Sequence, residues 1–161
     1  MRRLEHAASL RTMRHSRLEH AAARVLLVVG IFNALSAFAG GVPLIARPDG
    51  TAMGMPLSML DGTPFSSFLW PGVVLFVVVG GTQALAVAAQ LRRRTWAAAA
   101  AAVGGFGLAI WIFVEVLLLG GFTVLYVLYF GTALLQLAAL LVSLGLFAGA
   151  SAGAKSTPAR D

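Results

Sequence analysis

Ile110-Trp111-Ile112-Phe113-Val114-Glu115-Val116-Leu117-Leu118-Leu119 decides how this chain is read: nine side chains are apolar and one is a carboxylate. Glu115 is the only charge inside any long apolar segment. An ionised carboxylate at membrane depth costs roughly 2.5–3.5 kcal/mol on insertion scales, so it has to be shielded, neutralised or used. Extended back to Trp96, the run is long enough to cross a hydrocarbon core, which takes about 20 residues. Working outward, comparable runs lie at 25–45, 68–91 and 122–147, around 96–119 itself. Backbone groups in lipid must be satisfied within their own segment, so each run is expected to be a helix. The expected fold is all-α, an up-and-down bundle of four transmembrane helices spanning 25–148.

Composition points the same way. The 161 residues are 59% hydrophobic and 11% charged, whereas soluble chains carry about 25% charged residues. A soluble domain of this length has too little interior to hide that much apolar surface. The absence of cysteine excludes disulfides, thiolate metal sites and thiol redox chemistry. His6, His15 and His20 all precede the first run. No membrane segment therefore offers an imidazole to haem or metal, and no cofactor is expected. The formal net charge of +6 does not imply nucleic acid, because the basic residues flank apolar runs and do not interleave with aromatics. The lipid bilayer is the expected partner.

Eleven of the twelve Lys and Arg residues fall in 2–24, in Arg92-Arg93-Arg94 or at Lys155 and Arg160, and Arg47 stands alone in the first connection. By the positive-inside rule, both termini are expected to be cytoplasmic in a multi-pass protein of the plasma membrane. Residues 1–24 then form a basic cytoplasmic tail and 149–161, rich in Ala, Ser and Gly, a disordered one. Within the first tail, Arg3-Leu4-Glu5-His6-Ala7-Ala8 recurs as Arg17-Leu18-Glu19-His20-Ala21-Ala22. Fourteen residues return to nearly the same helix face, which suits an amphipathic surface helix. An irregular Arg-rich leader, or a start at Met13, is the expectation, since short isolated helices are marginal. Val25–Leu35 with Ala37-Phe38-Ala39 also has the form of a signal-peptide core and cleavage site. The long basic tail ahead of it favours a retained membrane helix.

The outer connection, 47–67, contains two turn signals, Pro48-Asp49-Gly50 and Asp61-Gly62. Between them Met53, Met55, Leu57, Met59 and Leu60 are too apolar for a solvated loop, and are expected on the membrane interface or capping the bundle. Thr63-Pro64 reads as an N-cap with proline following, and Ser66 or Ser67 as the cap of the second helix. The stretch Gly62-Thr63-Pro64-Phe65-Ser66-Ser67-Phe68-Leu69-Trp70-Pro71-Gly72, running on through 73–81, resembles a family of small uncharacterised bacterial membrane proteins. These are four-helix proteins, frequent in actinobacteria, with a Gly-x-Pro-Phe-Ser-x-Phe/Tyr-Leu-x-Pro-Gly element before the second helix. An acidic residue often stands where this chain has Ser67. The resemblance covers about 25–147 and is specific around Pro64–Gly72 and Trp111–Glu115. It implies the architecture and no particular activity.

Helical rise sorts the polar residues by depth. Asn33, Gln83 and Gln136 fall at one level in the inner half, where their amides suit a hydrogen-bonded layer; packing glue is the expected role and a binding layer the alternative. Glu115 lies near the outer end, level with Tyr126 across a tight Gly120-Gly121 turn. Glu115 is therefore expected to snorkel outward or to pair with Arg47 and lock the hairpin, with a Tyr126 hydroxyl within hydrogen-bond reach of its carboxylate and a proton or cation site as the alternative. Gly80 with Ala84 and Ala100 with Gly104 give small-xxx-small pairs suited to close helix contact.

No second acid, histidine or nucleophile pair accompanies Glu115, so the chain is not read as an enzyme. The expected function is a non-enzymatic accessory or interaction subunit, whose partner is another membrane protein or a second copy. A small transporter or channel component using Glu115 is the alternative. A membrane-interface enzyme comes third, with only Asp49, Asp61 and Ser66 available to it.

Overall fold

Neither glycine nor proline interrupts the first 29 residues, and the backbone is one continuous helix, α1, over Arg2–Ala46. A computed structural model describes residues 2–119 and 123–145 of the chain, with side chains from residue 16 onward. The leader expected to be irregular is thus drawn as the first turns of α1. Its Ala, Leu, Arg and Glu residues are strong helix formers, and the packed apolar segment that follows supplies the nucleus that an isolated peptide lacks. Pro43 lies inside the last turns of α1 and does not stop it. Ala37 is buried and Phe38 packs on the next helix, so both belong to the bundle.

Three further helices follow: α2 (Leu69–Leu91), α3 (Ala97–Leu119) and α4 (Val124–Ser143). These three and the Ser16–Ala46 stretch of α1 are long and apolar enough to cross a membrane. No strand occurs among the described residues. The molecule is built as a multi-pass membrane protein, an up-and-down four-helix bundle. Each helix packs on its sequence neighbour, and α4 closes the ring against α1. Apart from the early start of α1, the expected boundaries shift most at α4, which stops at Ser143 rather than 147. Gly145 takes a left-handed φ of +68°, and its amide donates to the Val142 carbonyl at 3.0 Å, which ends the helix. The Gly120-Gly121 turn, Phe122 and the tail with Lys155 and Arg160 lie outside the described residues.

The backbones of α1 and α2 approach closely. A Cβ on Gly41 would stand 2.7 Å from Phe76 Cβ and 3.0 Å from the Gly72 carbonyl oxygen, and one on Gly72 would meet Leu44 Cβ at 2.8 Å. Only glycine at both positions lets the backbones approach this far. The small residues singled out from sequence serve differently. Gly80 receives the Phe38 ring, and Gly104 and Gly105 receive side chains from α2 and α4. α2 is also not uniform: Val74–Gly80 is a π-helical segment. The Thr82 hydroxyl lies 2.6 Å from the Val78 carbonyl and 3.2 Å from that of Val79, satisfying groups at its exit. Such segments mark places where the regular ladder gives way to another constraint. Here the Phe38 ring, packed 4.7 Å from Phe76, occupies the groove.

The connection from Arg47 to Phe68 folds back over one end of the bundle. Gly50 is left-handed and its N–H donates to the Arg47 carbonyl at 3.0 Å. Asp49 accepts from the Thr51 hydroxyl at 2.7 Å and from its N–H at 3.1 Å. These bonds, with a smaller contribution from the Arg47 charge, hold the Asp49 carboxyl below its ordinary range. Two 3-10 turns follow, Thr51–Met53 and Leu57–Leu60. Neither Ser66 nor Ser67 caps α2, whose N-cap residue is Phe68, without a side-chain bond. Instead the Phe68 N–H donates to the Pro48 carbonyl at 2.9 Å, and its ring, 2% exposed, packs with Leu44 and Leu60. Thr63 caps its own turn, accepting from the Phe65 N–H. Phe68 thereby fastens the loop down, which keeps the methionines over the bundle.

Candidate functional site

Three amides lie buried at one level. Asn33 on α1, Gln83 on α2 and Gln136 on α4 are each 2% exposed or less. The Asn33 Nδ2 donates to Gln136 Oε1 at 3.2 Å, and Gln136 Nε2 donates to the Ala101 carbonyl of α3 at 3.0 Å. The Thr132 hydroxyl lies 2.9 Å from both Asn33 Oδ1 and the Tyr129 carbonyl, sharing one proton between two acceptors. Gln83 reaches α3 rather than the other amides, donating to the Gly104 carbonyl at 3.1 Å. Its Oε1 has no partner among the described residues. A Cβ on Gly104 would stand 3.2 Å from Gln83 Oε1 and 3.4 Å from Gln136 Nε2, so glycine there makes the room for both amides. The layer ties all four helices at one depth.

Between this layer and the loop lies a cavity of about 350 Å³. Asn33 lies at its floor, and the π segment contributes Leu75 and Val79 to its wall. Met53, Met55 and Met59 from the loop form its roof. Ligand sites occupy about 300–1,000 Å³ and are lined by apolar groups with a few placed polar ones. Besides Asn33, the polar groups here are Ser36, Trp111, Glu115, Thr123, Tyr126 and Tyr129, set among leucine, isoleucine and valine. Tyr129 is held by stacking on Phe32, with ring centres 6.0 Å apart.

Glu115 projects from α3 into this space and is partly buried. Two of its expected contacts are absent. The Tyr126 hydroxyl is within electrostatic reach of the carboxylate but does not close a hydrogen bond to it. The cavity lies between the elements that carry the two groups, so they face the same space instead of each other. Arg47 makes no pair with Glu115 either. α1 runs on to Ala46 and delivers Arg47 to the exposed turn, where its charge acts on Asp49. The Trp111 indole, one turn before Glu115, turns its N–H toward the carboxylate at a geometry that falls short of a full hydrogen bond. Its Nε1 is buried and unpartnered among the described residues.

Sequence reading missed the cavity itself and the parts played by Trp111, Ser36 and Thr132. Trp111 and Thr132 had a legible signal in helical spacing: Trp111 is four residues before Glu115, and Thr132 four before Gln136. The arrangement is a largely apolar space with one acid and several aromatic and hydroxyl edges. No protein-family model, no curated protein and no solved structure matches this chain.

Proposed function

We propose that the protein is a non-enzymatic accessory protein of the bacterial plasma membrane, with both termini cytoplasmic, that holds an amphiphilic small molecule at the loop end of its bundle. The observation that carries this reading is the cavity, a partly open space lined by all four helices, with Asn33 of the amide layer at its floor and methionines of the loop over it. Unbranched thioether side chains repack around ligands of different shape, which suits a roof that must admit a guest. The lack of an acid–base or nucleophile pair around Glu115 supports binding over catalysis. The bias of basic residues supports the orientation.

Native mass spectrometry of the full chain, released from its membrane in mild detergent, tests the binding. Wild type is expected to carry a small-molecule adduct that Ser36→Phe, which fills the cavity, loses. Identical spectra would refute the reading. Because the chain has no cysteine, orientation is open to single-cysteine labelling. Ser58→Cys should react with an impermeant maleimide in intact cells, and Thr95→Cys only after permeabilisation.

A second reading, a small transporter or channel component, is favoured by the position of Glu115 inside a membrane-length helix and on a cavity. Proteoliposome flux that falls with Glu115→Gln would support it over simple binding.

A further inference from the structure

We propose that the ligand is a lipophilic organic cation, its charge received by Glu115 and its apolar body by the cavity walls. This rests on the reading of the cavity as a ligand site and adds the charge of the occupant. Three observations converge on it. Glu115 is the only ionised-type acid among the cavity-lining side chains, and no lysine, arginine or histidine lines the space with it. Arg47, the one basic residue of the loop, is engaged at the turn beside Asp49. The carboxylate therefore stands in a largely apolar chamber without a protein counter-charge, an arrangement relieved either by taking up a proton or by a cation that arrives with the guest.

The second observation is the ring set. Trp111, Tyr126 and Tyr129 all border the chamber that Glu115 enters. Aromatic faces attract cations through the ring quadrupole, most strongly when water is excluded, and they do so without requiring a particular hydrogen-bond geometry. The third is the buried Trp111 N–H, which faces the Glu115 carboxylate without closing a full hydrogen bond to it. An acceptor atom on the same ligand, or the carboxylate once drawn inward by a cation, would satisfy it. A neutral lipid tail uses none of these three features. An anionic headgroup would oppose the Glu115 charge directly.

Binding of tetraphenylphosphonium and of its anionic isostere tetraphenylborate to the full chain in an uncharged maltoside detergent separates the possibilities. The cation is expected to bind at least tenfold more tightly than the anion. Glu115→Gln should abolish that preference, and Glu115→Asp, which keeps the charge, should retain it. Ser36→Phe should weaken both ions. If the two ions bind alike and Glu115→Gln changes nothing, the charge assignment is overturned while the cavity remains a ligand site. If neither ion binds and Ser36→Phe leaves the native adduct unchanged, both readings fall together.

Discussion

Gly41→Ala adds a single methyl group where the backbones of α1 and α2 approach closely, and the geometry sets its cost. The new Cβ would stand 2.7 Å from Phe76 Cβ and 3.0 Å from both the Gly72 oxygen and the Phe76 nitrogen. Two of these three are backbone atoms, which cannot swing aside as a side-chain tip does, so α1 and α2 have to separate. Overpacking of this kind costs about 1–3 kcal/mol. Replacing glycine within a helix returns about 0.5–1 kcal/mol of backbone entropy. The overpacking outweighs it, and a net loss of up to about 2.5 kcal/mol is expected. Gly107→Ala supplies the control, since a Cβ there meets nothing within 4 Å. It should keep only the favourable part and gain up to about 1 kcal/mol. Reversible unfolding in mixed micelles, followed by tryptophan fluorescence, reads both. Equal shifts for the two variants would refute the claim that the Gly41–Gly72 crossing holds α1 against α2.

Gln136→Leu removes the bonds to Asn33 and to the Ala101 carbonyl while keeping the volume. At about 0.6 kcal/mol for each membrane hydrogen bond, a loss near 1 kcal/mol is expected in the same assay. Arg93 sits at a left-handed φ of 49° in a Schellman ending, with the Arg94 amide bonded to the Ala89 carbonyl at 2.9 Å. Arg93→Gly should relieve the strain and stabilise the bundle by about 0.5–1 kcal/mol, less the entropy glycine adds to the unfolded chain. Asp49 has a folded-state pKa below the ordinary 3.8. Its ionised form therefore supports the loop turn above that value, and the support is lost as pH falls through the depressed one. Side-chain carbon NMR should find its midpoint below 3.8, and Thr51→Val should move it upward.

Much of the architecture was legible because lipid imposes a simple rule: about 20 apolar residues make a helix. Depth also followed from the constant rise per residue, which is why Asn33, Gln83 and Gln136 sort to one level. What did not follow was lateral position. Rise says that Glu115 and Tyr126 are level, but a hydrogen bond depends on whether the wall between them is filled, and here it opens into a cavity. Arg47 stands at the outer end of the first helix as expected, but rise does not say which way a side chain turns, and its charge acts on Asp49 at the exposed turn. The π segment in α2 had no signal at all in its valine-rich sequence, since it answers to the Phe38 ring packed against it. Likewise the close backbone approach of α1 and α2 uses Gly41 and Gly72, neither of which belongs to the small-xxx-small pairs read from sequence.

The claim at the centre of this account is that the chamber around Glu115 receives a ligand, and a distance measurement tests it most directly. Magic-angle-spinning NMR on the full chain, with its glutamates 13C-labelled and tetraphenylphosphonium bound, reads dipolar dephasing between the probe's phosphorus and the carboxyl carbons. The account predicts dephasing from one glutamate at a separation of about 6 Å, within the reach of a direct charge interaction, and its loss in Glu115→Gln. Saturating probe with no dephasing, or dephasing that survives Glu115→Gln, would contradict it.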